Sequence, residues 1–434
     1  MHIKKHLSFV ALRAALSEIF EQIEDSRQAG KVDYRLHDCL MSALAMMVFQ
    51  DPSLLSFQRR MHDPLQCGNL KALFAVEAIP KDTALRESLD AVATEDLNPG
   101  FEIFLQRLQR GKQLAAYSFL DGHYLIALDG SQYFSSEQIQ CPGCLTHQGA
   151  KGPLRYSHQI LQAVMLHPHM RQVLPLAPEP VANTDGHRKQ DCELAAAKRI
   201  LPKIRTAHPR LPIIITADGL YSDQPFVDAL KKAGMSFILV AKPTDHKLLF
   251  EWVNELSGLG DGGRLEFTDA KGRRHTYRWI NQVPLNGSRR NADELNFFEY
   301  WLTVGQKVTY HNSWVSDITV SENNVRELVQ GGRARWKIEN ETFNTLKNQG
   351  YHIEHNFGHG QKQLSMNFFV LNLLAFYIHQ ILELCDLNYQ YCRSKFSSRQ
   401  EYWNNLRVAI RMLFFNDFDH LLRFVAHPPE IRAP

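Results

Sequence analysis

Three carboxylates stand in contexts that suit metal chemistry. Asp129 closes the apolar run Tyr124-Leu125-Ile126-Ala127-Leu128 and is followed by Gly130-Ser131. Asp218 closes Pro212-Ile213-Ile214-Ile215-Thr216-Ala217 and is followed by Gly219. Glu339 lies in residues 333–347, which hold no proline and no glycine and read as a helix starting after a Gly331-Gly332 loop. Continuous apolar runs mark strands buried on both faces, and in such sheets ligands meet the carboxyl ends of the strands. Two strand-end acids and one helix acid therefore offer hard oxygen donors for Mg²⁺ or Mn²⁺, which keep waters and accept phosphate oxygens. Two such ions activate an attacking oxygen and stabilise a leaving one in phosphoryl transfer.

Basic side chains accompany these acids. At 100° per residue, Arg335, Glu339 and Leu346 fall within about 40° of arc, and Lys347 lies about 80° further round than Glu339. Taken alone, Arg335–Glu339 is an ordinary i,i+4 surface pair. Beside a metal site, Arg335 offers a planar fork and Lys347 a point charge for phosphates. Lys242, after the buried run Phe237-Ile238-Leu239-Val240-Ala241, is placed to touch phosphates as well. Glu341 is the rival third acid. It lies about 200° round the helix from Glu339 and has no Arg four residues before it.

A second grouping has different chemistry. Cys141-Pro142-Gly143-Cys144 with His147 has the spacing of half a structural Zn²⁺ site. His123, His158, His169 or Cys192 would complete it only through the fold, and the simpler reading is a Pro-Gly turn with two reduced thiols.

The elements that must position these residues follow from composition and periodicity. The 434 residues, 44% hydrophobic and 22% charged, fit a globular protein of two or three domains. A net charge of +3 gives only weak whole-chain attraction to polyanions. The N-terminal apolar run is broken by Arg13 and followed by Glu18 and Glu21, which argues against a signal peptide. The most apolar run, 366–384, contains Asn367, Asn372, His379, Gln380 and Glu383, and reads as a buried helix with no membrane role. Seven scattered cysteines indicate a reducing, cytoplasmic setting.

Residues 1–114 read as a helical region for DNA binding or dimerisation, with Thr83 capping one helix and Arg59, Arg60, Lys71, Lys81, Arg86, Arg107, Arg110 and Lys112 spread through it. Residues 115–244 give strand, strand, strand, helix, strand, helix, strand: the first part of an α/β core with a mixed sheet. Residues 245–325 form an inserted antiparallel β-domain, 326–385 the second part of the core with the Glu-bearing helix, and 386–434 a C-terminal helical tail.

Leu128-Asp129-Gly130-Ser131, Thr216-Ala217-Asp218-Gly219-Leu220-Tyr221-Ser222 and Arg335-Trp336-Lys337-Ile338-Glu339, in this order, resemble the DDE transposases of bacterial insertion sequences. The resemblance is to the branch whose RNase H-like core is interrupted by a β-domain before the glutamate, and it spans residues 30–385. It implies a metal-dependent enzyme that cleaves and joins DNA. Asp129, Asp218 and Glu339 would be the catalytic metal ligands, with two Mg²⁺ or Mn²⁺ ions, and Arg335 and Lys347 would contact DNA. The partners implied are terminal inverted repeats and target DNA, bound by a homodimer assembled on DNA. Alternatives are a stand-alone RNase H-like nuclease and a non-catalytic DNA-binding derivative. Two positions depart from the pattern: Gly332 stands where the family has a Tyr, and Lys347 follows Glu339 by eight residues where seven is usual. Of the remaining candidates, His187-Arg188-Lys189 reads as solvated charge. His352, His355 and His359 read as a structural or DNA-facing loop group. Trp252, Trp279, Trp301 and Trp314 read as core residues, one of them available to stack on an unpaired base.

Overall fold

The computed structural model describes residues 5–428 apart from 29, 31, 150–151, 184–189 and 286–293. His187-Arg188-Lys189 lie outside the described residues. The strands are β1 Ser118–Phe119, β2 His123–Ser136, β3 Leu145–Gln148, β4 Leu154–Leu166, β5 Leu174–Pro175, β6 Glu179–Val181, β7 Ile213–Ala217, β8 Ser236–Val240, β9 Gly263–Thr268, β10 Arg273–Pro284, β11 Glu294–Val304 and β12 Lys307–Ser316. They form one sheet of order β3-β4-β2-β7-β8-β12-β11-β10-β9, with β5 and β6 also pairing with β4.

The apolar runs occupy the middle of this sheet. All of β7 is buried, and β7 pairs in parallel with β2 on one side and β8 on the other. Helices Glu193–Ala207 and Gln224–Lys232 make the connections that parallel pairing requires. With β4 antiparallel to β2, this is an RNase H-like core. Strands β9 to β12 are mutually antiparallel, and β12 pairs with β8, so residues 263–316 extend the core sheet.

Three local expectations need correction. Asp129 does not end its strand: β2 runs on to Ser136 because β4 pairs with it throughout, although β7 stops near Asp129. Gly331 and Gly332 are not a loop but buried residues inside helix Val325–Ala334. Thr83 caps nothing, since helix Asp82–Ala91 starts one residue earlier and has Lys81 at its cap position.

The helices of both termini pack around Leu364–Cys385, buried from Met366 to Leu382. Five of its polar residues find partners, while the buried Tyr377 hydroxyl makes no hydrogen bond among the described residues. Asn367 donates to the carbonyls of Leu89 and Val92, Asn372 donates to that of Tyr351, and Gln380 accepts from the Val173 amide. His379 meets the Tyr351 hydroxyl at 2.8 Å, and Glu383 pairs with Arg399. Each such bond contributes about 1 kcal/mol, and left unmade costs more. Among the described residues this one helix is long and apolar enough to cross a membrane, and 83% of its apolar window is buried inside the protein. N- and C-terminal segments are tied directly: Phe9 stacks on Phe418 at 4.0 Å, and Asn69 donates to the carbonyls of Ile410 and Leu413. Several N-terminal arginines serve the fold itself, Arg60 on Asp51 and Arg107 on the carbonyls of His6 and Ala11.

Candidate active site

Register brings the two aspartates level. Ala127 of β2 lies opposite Thr216 of β7. Asp129 and Asp218 each follow two residues on, so the alternation of strand side chains sets both on one face. Asp218 is held by its own turn, its Oδ1 accepting the Leu220 amide at 2.9 Å. Asp129 accepts the Gly130 amide at 3.1 Å.

The third acid arrives from the helix. Arg335 bridges the elements, with Nη2 2.7 Å from Glu339 Oε1 and Nη1 3.9 Å from Asp129 Oδ2. Glu341 acts instead on Lys337, where its charge partly offsets the lowering by burial, and the Lys337 ammonium donates to the Met170 carbonyl. Burial pushes the Asp129 carboxyl up to about 7; Arg335 opposes the rise, and Glu339, Glu193 and Asp218 add to it. Such a group of carboxylates suits a divalent cation, whose charge would offset the part of the Asp129 rise that its acidic neighbours add to burial.

Glu193 was not expected from the sequence. It opens helix Glu193–Ala207, and an acid in a first turn is ordinarily explained by the helix dipole alone. Here a Cβ on Gly130 would lie 2.1 Å from its Oε2, so a side chain beside Asp129 would push this fourth carboxylate from its present position. The buried Tyr221 hydroxyl donates to Glu193 Oε1. Burial and then Glu193 hold that phenol far above its ordinary range, so it stays a donor.

The two departures from the family pattern have structural causes. A Cβ on Gly332 would lie 2.5 Å from Trp314 Nε1, and one on Gly331 2.9 Å from Phe119, so the paired glycines let helix Val325–Ala334 settle onto the sheet. The Tyr position is thus taken up by packing against a buried indole. Residues Ile338–Phe343 form a π-helical stretch, which absorbs one extra residue. Eight residues through it advance the chain about as far round as seven in a regular helix. The unusual spacing therefore returns Lys347 toward the Glu339 face, where it pairs with Glu354 at 3.0 Å.

The exposed Lys242 lies along Gly219, its Cε 3.4 Å from where a Cβ would sit, next to Asp218. Among the tryptophans, Trp314 and Trp279 are buried, whereas Trp252 is 43% exposed. Trp336, beside Arg335, is 63% exposed and was passed over in the sequence because it sits inside the motif. His147 does not join Cys141 and Cys144: β3 carries it into solvent opposite Arg155, and His158 and His359 are the residues that meet the thiols.

A model of the transposase DDE domain family matches residues 149–377, more than half of the chain. The match takes in Asp218, Lys242, Arg335, Glu339 and Lys347 and begins after Asp129. No curated protein matches the chain. An RNase H-like sheet, an acidic cluster at its centre and a family match over most of that core agree: the chain belongs to the DDE transposases.

Proposed function

We propose that this transposase serves a bacterial insertion sequence, cutting and joining the ends of its element by metal-dependent phosphoryl transfer in the cytoplasm. The observation that carries the reading is that Arg335 bridges Asp129 and Glu339 while Asp218 lies near enough to Asp129 to raise its carboxyl. These carboxylates would hold Mg²⁺ or Mn²⁺, two ions in the full site, which when bound activate water and stabilise the leaving oxygen. Arg335, with Lys242 and Lys347, neutralises the phosphates of the scissile strand. Hydrolysis at each element end frees a 3′-hydroxyl. That hydroxyl then attacks a target phosphodiester, forming the new ester and releasing the target's own 3′-hydroxyl. A homodimer assembled on DNA would present two such sites, one for each inverted repeat. The exposed indole of Trp336 stacks on a base opened at the cut, an interaction of about 1–3 kcal/mol per base.

Incubation of the full chain with duplex carrying the element's terminal repeats, a plasmid target and Mg²⁺ tests this reading. The expected products are nicked ends and ends covalently joined to the plasmid. Trp336→Ala weakens end binding roughly 5- to 100-fold with an unchanged melting temperature. Cleavage without joining would make the protein a nuclease, and tight binding without cleavage a regulator; either would overturn the proposal.

A further inference from the structure

We propose that Cys141, Cys144, His158 and His359 bind one zinc ion that fastens the loop after the Glu339 helix to the far end of the Asp129 strand. Their ligating atoms all lie within 4.8 Å of one another. Cys141 Sγ is 3.8 Å from Cys144 Sγ and 3.4 Å from His158 Nε2. Cys144 Sγ is 3.5 Å from both His158 Nε2 and His359 Nε2. A tetrahedral zinc with ordinary bond lengths sets its sulfurs about 3.8 Å apart and each sulfur about 3.5 Å from a nitrogen. All four spacings fall within about 0.1 Å of these values, and the sulfur–sulfur distance is far longer than a disulfide bond.

The surroundings are those of a closed site. The Pro142-Gly143 turn lets the Cys144 amide donate to the Cys141 carbonyl at 3.1 Å, and the Cys141 amide points at Cys144 Sγ at 3.4 Å. Cys144 and His359 are buried. The Phe134 ring lies 4.5 Å from that of His359, and the Tyr133 ring stacks on that of His158 at 5.8 Å. Two thiolates and two imidazoles select zinc over the hard cations that suit the carboxylate cluster. Four protein ligands leave no open position, so this ion is structural.

Its structural value lies in where the ligands come from. Cys141 and Cys144 lie between β2 and β3, His158 lies on β4, and His359 lies between helices Asn344–Asn348 and Leu364–Cys385. Cys144 and His359 are 215 residues apart in sequence. The ion would thus cross-link the two halves of the core, one carrying Asp129 and the other Glu339.

Elemental analysis of the full chain, purified without added zinc, is the test. It should find about one zinc per chain. Cobalt substitution should give the visible d–d bands of a tetrahedral site together with thiolate-to-cobalt absorption. Cys141→Ser, Cys144→Ser and His359→Asn should lose the metal and these bands, whereas His147→Asn keeps both. Chelation should lower the melting temperature by roughly 5–10 °C, restored by zinc and not by Mg²⁺. Cys141 is only partly buried, so Cys141→Ser decides if the other variants fail to fold. A folded wild-type chain without zinc, without cobalt bands and with a melting temperature indifferent to chelator would overturn the proposal, whatever its activity on DNA.

Discussion

Asp129→Asn, Asp218→Asn and Glu339→Gln should each lower DNA strand cleavage by roughly a thousandfold or more. Each replaces a charged ligand by an isosteric amide and removes several kcal/mol of charge stabilisation at the reacting phosphate. Glu193→Gln should cost less, on the order of 10- to 100-fold, as for groups that orient a metal's ligands. Single-turnover cleavage of labelled element-end duplex separates the two classes. Folding must be intact, and for Asp129 it offers a separate readout. Its folded carboxyl, at about 7, binds a proton more tightly than the unfolded one near 3.8. The stabilisation that accompanies this proton is whole below about pH 4 and is lost as pH rises to about 7. The melting temperature of metal-free wild type should therefore fall across that window, and Asp129→Asn should flatten the fall. A variant set that cuts like wild type, or an Asp129→Asn curve parallel to wild type, would remove Asp129 from the cluster.

Gly332→Tyr should damage the fold although it matches the family's residue at that position. The new Cβ would lie 2.5 Å from Nε1 and 2.7 Å from Cε2 of Trp314, a fully buried indole stacked on Phe298 at 5.5 Å. Inserting even a few methylenes into a packed core costs about 1–3 kcal/mol, and a phenol exceeds that. The expected result is a melting temperature lower by roughly 10 °C, or an insoluble protein; Gly332→Ala should fall between this and wild type. Adding Trp314→Ala to Gly332→Tyr should recover part of the loss. A Gly332→Tyr protein as stable as wild type would mean that the helix does not rest on Trp314.

Much of this was legible in the sequence because local chemistry and global role coincided. The runs before Asp129 and Asp218 are buried strands, and their apolar composition says so. Arg335 and Glu339 are four apart, and that spacing alone pairs them. The polar residues of 366–384 marked a buried helix because a membrane span would leave them without partners. What the sequence hid depends on long-range contact. β2 continues past Asp129 only because β4 pairs with it there. Gly331-Gly332 reads as a breaker until Phe119 and Trp314 are seen to need the space. The π-helical stretch has no composition of its own, so Lys347 looked displaced. Glu193 and His359 owe their neighbours wholly to the fold, and each had an ordinary local explanation.

The proposed chemistry requires that carboxylates from two strands and a helix share the catalytic cations. Anomalous diffraction from crystals of the full chain soaked in Mn²⁺ tests it most directly. The predicted result is manganese within coordination distance of Asp129 and Asp218, on the side facing Glu339, and its loss in Asp218→Asn. Manganese bound elsewhere, with none between the two aspartates, would contradict the account.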